Sequence, residues 1–219
     1  PPDVGPPDVG PPARIVLVRH GLTEHTLTGL LDGRGGPDAP LTVEGRRQAV
    51  AAAHGVRAFL GEVPARLVTS SLSRARQSGA VMAGELDLEP ETDPAWDEQD
   101  FGDWEGRTTA QVLAEDPQAY RNLRLDESYA RPGGESRAQL RDRVLAAFRG
   151  LAEDARQDER AIVVVSHRAA LLVLLGECLQ MSAAGAWSLA LTPGSLTSLK
   201  TWRDGGVLVE FVNDTSHLR

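Results

Sequence analysis

Three short apolar runs, spaced by stretches of helical period, constrain this chain more than any other feature. They cover residues 15–18 (Ile-Val-Leu-Val), 66–69 (Arg-Leu-Val-Thr, apolar at its centre) and 161–165 (Ala-Ile-Val-Val-Val). Each is compact, rich in β-branched residues and bounded by turn formers, the pattern of a strand covered on both faces. Between and after them come helices. Residues 42–60 start at Thr42 as N-cap with Glu44 in the first turn. Residues 73–86 follow, and 109–115 are closed by Pro117. At 136–155, Ser136 and Gln139 form a capping pair, and Leu140, Val144, Ala147, Phe148 and Leu151 repeat on one face. Residues 169–181 read as a very apolar helix. Residues 195–202 and 207–212 read as a hairpin around Asp204-Gly205-Gly206. Such alternation predicts an α/β fold, a three-layer α/β/α arrangement with a mostly parallel central sheet and antiparallel strands at one edge.

The 219 residues suffice for one domain with a sizeable core. Residues 1–12 repeat Pro-Pro-Asp-Val-Gly and end in Pro-Pro, a linker or tail that joins a longer protein or simply extends this one. Residues 13–219 are expected to form a single domain. A net charge of −8 argues against nucleic-acid binding. No run approaches the ~18 apolar residues of a membrane span, and no secretory signal is visible, so no membrane is expected and cytoplasmic residence is. The single cysteine, Cys178, lies among leucines and reads as a packing residue.

The chemistry gathers where the apolar runs end. The first ends in Arg19-His20-Gly21, the last in Ser166-His167, and the middle one leads through Ser70-Ser71-Leu72-Ser73 to Arg74. Parallel strands bring their C-terminal ends to one edge, where open α/β sheets bind ligands. Two histidines and two arginines there suit a phosphomonoester, which is mostly dianionic near neutral pH because its second pKa is about 6. Nearby guanidiniums disfavour a protonated imidazole, so a histidine among them keeps the lone pair needed for attack on phosphorus. A proton donor for the leaving alkoxide is sought in Trp96-Asp97-Glu98-Gln99-Asp100-Phe101-Gly102-Asp103-Trp104-Glu105-Gly106. Glu98, Asp100 and Glu105 are its candidates, and a solvated acidic loop is the alternative.

These residues together resemble the histidine phosphatase superfamily, which includes cofactor-dependent phosphoglycerate mutases. Leu17-Val18-Arg19-His20-Gly21 resembles its signature. The similarity continues through Leu41-Thr42 with Gly45 and Gln48-Ala49, Ser70 to Ala75, Glu98 with Phe101-Gly102 and Trp104-Glu105-Gly106, Gly133-Gly134-Glu135-Ser136, and Val165-Ser166-His167. It implies a phosphoglycerate mutase-like fold, with His20 as nucleophile and Arg19, Arg74 and His167 holding the phosphoryl oxygens. Glu98 would be general acid, then base. No metal or organic cofactor is implied. Gly21, Thr26, Ser136 and Arg168 are the candidate substrate-binding positions.

Three positions depart from the family pattern: Leu22 where Glu or Gln is usual, Thr26 where Asn is frequent, and Arg168 where Gly is usual. Arg168 either adds a cation to the pocket or plugs it. The expected activity is hydrolysis of a small phosphorylated metabolite, because only residues 107–132 lie between the acid loop and the Gly-Gly-Glu-Ser block, a short lid that admits water. A phosphoglycerate mutase and a catalytically silent phosphate-binding member are the alternatives. Arg121, Arg124 and Arg131 in the lid either bind a second anion or are solvated, while Leu22, Leu27, Leu30 and Leu31 hint at a less polar leaving group. His25 stays open, and His54 and His217 read as surface residues. The protein is expected to be a monomer or homodimer.

Overall fold

The computed structural model of the protein describes residues 10–219; the first nine residues of the Pro-rich segment lie outside the described residues. In chain order the elements are β1 (Ala13–Arg19), α1 (Glu24–Thr28), α2 (Val43–Leu60), β2 (Ala65–Thr69), α3 (Ser73–Leu86), β3 (Pro90–Thr92), α4 (Thr109–Glu115), α5 (Pro117–Leu125), α6 (Arg137–Asp158), β4 (Ala161–Ser166), α7 (Arg168–Cys178), α8 (Ala183–Ala186), β5 (Leu196–Thr201) and β6 (Val207–Asp214).

The sheet order is β3-β2-β4-β1-β5-β6. β1, β2, β3 and β4 run parallel, and β5 and β6 add an antiparallel edge beside β1. Alternation along β1 divides the core. Val16 and Val18 join Ala52, Ala53 and Val56 of α2 and Ala75 and Met82 of α3. Ile15 and Leu17 join Leu140, Val144 and Phe148 of α6 and Leu171, Leu172 and Leu175 of α7. Successive strand residues point to opposite faces, so runs with few polar residues need helices on both sides. The three-layer α/β/α architecture expected from the sequence is the one observed.

Register decides where the chemistry falls. Arg19 lies opposite Ser166, and Thr69 opposite Val165. The residues leaving β1, β2 and β4 therefore emerge side by side. The helices after β1 and β2 cover one face and those flanking β4 the other, so the outgoing loops part and leave a crevice.

Four short elements were not foreseen: α1, β3, α5 and α8. α1 has five residues, below what a hydrophobic period can reveal. β3 is three exposed residues opening with Pro90, paired with β2. Pro117 not only follows α4 but opens α5, at a first-turn position where its missing N–H costs nothing. α7 stops at Cys178, short of the expected 181, because Gln180 takes a left-handed φ of 51° and the Met181 N–H turns back to Gly176 O. His217 is not a free surface residue: its Nε2 lies 2.8 Å from Gly194 O. His54 is exposed as expected, beside Glu85. A third apolar cluster packs the lid helices α4 and α5 on the acid loop, through Phe101, Trp104, Val112 and Ala119 with Tyr120 and Leu123. Among the described residues no helix is long and apolar enough to cross a membrane.

The loop after β1 presses on the start of α2. A Cβ on Gly45 would sit 2.1 Å from Leu22 O, and one on Gly21 2.1 Å from Gly45 O. Gly84, in the last turn of α3, has nothing within 4 Å of its missing Cβ. Gly45→Ala should therefore lower stability by about 1–3 kcal/mol, and Gly84→Ala should raise it by about 0.5–1 kcal/mol. Urea unfolding of the two variants beside the wild type reads both signs.

Candidate active site

His20 follows β1 directly and is buried, its backbone N–H donating to Ser166 O at 3.0 Å. Its Nδ1 lies 2.7 Å from Gly21 O. A carbonyl only accepts, so Nδ1 carries the proton and Nε2 keeps the lone pair. Burial, then the charges of Arg74 and Arg19, hold the His20 pKa well below that of an ordinary histidine. The side chain is thus a neutral imidazole with its tautomer set by the backbone.

His167, directly after β4, is fully buried with its ring centroid 4.9 Å from that of His20. Its Nε2 is 2.7 Å from Ser70 Oγ, and Ser70 Oγ is 2.8 Å from Asp97 Oδ1. Ser71 also gives its N–H and hydroxyl to Asp97. Ser70 has one hydroxyl proton, and the carboxylate takes it. Ser70 must then accept from His167, which places that histidine's proton on Nε2 and leaves Nδ1 buried without a hydrogen-bond partner. Burial, reinforced by Arg74, His20, Arg19 and Arg143, keeps the His167 pKa well below the usual value.

The two arginines are anchored differently. Arg74, on the first turn of α3, donates Nη2 to Asp32 O at 2.6 Å, and its Nη1 is 3.3 Å from both Asp32 and Asp38 carboxylates. His25 Nδ1 stands 3.2 Å from the same Asp32. Arg19 donates Nη1 to Leu191 O at 2.5 Å, while its buried Nε has no partner. Burial pulls its pKa down to about 10.

Glu98 is the one acid-loop candidate that lines the cleft. Both carboxylate oxygens accept from Ala169 N–H at 3.2 Å, in the first turn of α7. Asp100 and Glu105 are spent on backbone: Asp100 accepts from Gly102, and Glu105 from Phe101 and Gly33. Burial pushes the Glu105 pKa up. What holds Glu98 is Arg143. Its guanidinium uses all five N–H groups, two on the Glu135 carboxylate and three on the carbonyls of Ala95, Asp97 and Glu98. Sequence reading missed Asp97, Arg143, Asp32 and Asp38. Only the presence of Glu135 in a family-like block pointed toward the clamp, and its partner eight residues on gave no signal.

The remaining candidates separate. Thr26 and Arg168 line the cleft. Arg168 does not plug it: the guanidinium lies on the Trp187 ring, 4.8 Å from the centroid. Ser136 caps α6, accepting from Gln139 N–H in a full capping box, and does not line the cleft. Gly21 serves the packing on α2 and gives its N–H to Ser78. Leu22, the first departure, is also absent from the lining. The cleft has a volume of about 540 Å³ and runs from Arg19, His20, Arg74 and Glu98 out to Leu30, Leu31, Tyr120 and Leu123 of the lid side and Ala184 and Trp187 of the α8 side.

A family model, the histidine phosphatase superfamily (branch 1), matches residues 15–215, and the chain belongs to that family. The bifunctional protein Rv2228c of Mycobacterium tuberculosis is 34% identical over 212 residues, 94% of this chain and 55% of that protein, so the chain spans about half the length of this relative. The adenosylcobalamin/alpha-ribazole phosphatase of Salmonella typhimurium is 31% identical over 85% of this chain and 89% of its own length. Among solved structures, mycobacterial glucosyl-3-phosphoglycerate phosphatase in complex with VO3 superposes with a TM-score of 0.79 at 27% identity, covering 93% of this chain and 100% of that one.

Two neutral buried histidines leave a mark on stability. Their folded pKa values lie below the unfolded value of about 6.5. Below that pH the unfolded chain binds protons that the folded one refuses, so stability falls with falling pH by up to about 1.4 kcal/mol per unit for each histidine. His20→Gln should remove one such slope. Urea unfolding between pH 7.5 and 5.5 in phosphate-free buffer checks this, and parallel slopes for variant and wild type would refute it.

Proposed function

We propose that the protein is a phosphatase that hydrolyses a small phosphorylated metabolite through a phosphohistidine at His20. The observation carrying this reading is a neutral imidazole with a free Nε2 lone pair, set between two guanidiniums in a cleft that also holds one carboxylate, Glu98. Residues 13–219 are read as the catalytic unit, since β1 starts at Ala13 and the family match runs on to residue 215.

In the first step His20 Nε2 bonds to phosphorus as the ester P–O bond breaks, and Glu98 gives its proton to the leaving alkoxide. Arg19 and Arg74 take up the charge spread over the phosphoryl oxygens. The unpartnered Nδ1 of His167 is the atom through which that histidine meets the phosphoryl group, and it must gain a proton to donate. Asp97, through Ser70, supports the resulting cation. In the second step Glu98 as carboxylate takes a proton from water, oxygen bonds to phosphorus, and the N–P bond breaks, restoring His20. Leu30, Leu31 and the lid helices bound the cleft without sealing it, and an open path for water favours hydrolysis over return of the phosphoryl group to a second alcohol.

His20→Ala should abolish turnover of para-nitrophenyl phosphate and labelling by 32P-phosphoester in a rapid quench. Turnover that survives the substitution disproves the nucleophile, and none in the wild type points to the silent phosphate-binding alternative. Glu98→Gln should slow an alkyl phosphate by about 10²–10⁴-fold. It should slow para-nitrophenyl phosphate much less, because that leaving group departs without a proton. Equal losses on both substrates would remove Glu98 from the acid role. Stimulation of isomerisation by bisphosphoglycerate would support the mutase instead.

A further inference from the structure

His25 lines the same cleft as His20, and the reaction above gives it no part. It stands on α1, whose buried N-cap Thr23 accepts from Thr26 N–H. The His25 carbonyl takes the N–H groups of Gly29 and Leu30. The short helix is thus closed at both ends, and that fixes where the ring enters the cleft.

The ring reaches Asp32, its Nδ1 standing 3.2 Å from Asp32 Oδ2. Arg74 Nη1 is 3.3 Å from that same oxygen. Both Asp32 carboxylate oxygens are buried, and neither has a hydrogen-bond partner among the described residues. Ion-pair contacts with His25 and Arg74 are what this carboxylate has instead. A nitrogen lone pair aimed at a carboxylate oxygen is repelled, so His25 carries a proton on Nδ1. A carboxylate placed this way orients the imidazole and supports a positive charge on it. Nδ1 is buried while the side chain as a whole is 20% exposed, so Nε2, across the ring, is the nitrogen left to the open cleft.

His20 is the contrasting case. It is buried beside Arg74 and Arg19, and their charges and its burial hold it neutral. His25 also has Arg74 for a neighbour, but a carboxylate oxygen stands within reach of both. The other charged and titratable groups around this space are Arg19 and Glu98, Tyr120 and Arg131 on the lid side, and Arg137 and Arg168 of α6 and α7. Histidine is the side chain whose ordinary titration falls in the neutral range, and an anion within about 4–6 Å favours its charged form.

From this geometry, and resting on the reading of the cleft as a phosphoryl site, we propose that His25 is a further substrate-contacting residue: with Nδ1–H on Asp32, it takes up a proton at Nε2 as a tetrahedral dianion enters and donates that N–H to one of the dianion's oxygens. The proton comes from solvent and returns to it when product phosphate leaves. Asp32 is then shared, anchoring Arg74 throughout and balancing the His25 cation while the site is filled. Because proton and dianion bind together, affinity falls as pH rises.

Tungstate tests this without turnover, since near neutral pH it is a tetrahedral dianion with no proton of its own to release. Calorimetric titration of the whole chain in buffers of different ionisation enthalpy counts the protons taken up per tungstate bound. His25→Asn keeps a donor where Nδ1 stands, and His25→Gln keeps one near Nε2, but neither side chain titrates. Wild type should take up more protons than either variant, by roughly a few tenths of a proton per site. Its affinity should also fall more steeply between pH 6.5 and 8. A loss of shape alone would weaken binding and leave the proton count unchanged. Equal proton counts in wild type and both variants overturn the proposal, and so does a wild type that does not bind tungstate. The phosphatase reading fails separately, if para-nitrophenyl phosphate is not turned over; proton uptake that depends on His25 would then still uphold the contact with the dianion.

Discussion

The site depends on keeping an imidazole uncharged in a pocket built to attract anions. His20 stays neutral because it is buried and because Arg19 and Arg74 repel a proton from it. Arg74 is held back by the paired Asp32 and Asp38, and Arg19 by a main-chain carbonyl instead of an acid. Arg19 therefore stands beside the nucleophile held by a main-chain carbonyl, with its Nε buried and unpartnered.

Two buried arrangements support this site. Beneath His167, Asp97 collects three hydrogen bonds from Ser70 and Ser71 and so dictates which way the Ser70 hydroxyl points. That direction sets the histidine's tautomer. Separately, Arg143 ties three acid-loop carbonyls, those of Ala95, Asp97 and Glu98, to the Glu135 carboxylate, and α7 offers the Ala169 N–H to Glu98. Neither Asp97 nor Arg143 lines the cleft. Both act by fixing atoms that do, as expected where geometry must hold to a fraction of an ångström.

Much of this was legible before the structure. The apolar runs at 15–18 and 161–165 mark strands because β-branched residues without polar alternation have one stable home, the middle of a covered sheet. Ser136 and Gln139 announced a helix start as a capping box, and the structure has it. Short elements such as α1 and β3 were not legible, since too few residues carry a period and their partners are distant in sequence. The Ser136 hydroxyl accepts from Gln139 N–H in the helix it caps, a local role that the family-like block does not distinguish from substrate binding.

By itself the sequence determined which residues could be chemical: histidine and arginine placed after apolar strands, with an acid-rich loop between them. Local pattern suffices there, because strand direction alone carries residues at C-terminal ends to one edge. Tertiary structure decided which of three acids faces the cleft, which ring nitrogen of His167 bears the proton, and that Arg168 lies along Trp187 instead of across the opening. Those outcomes turn on hydrogen bonds and ring contacts between residues 19 to 97 positions apart, and no local period encodes them.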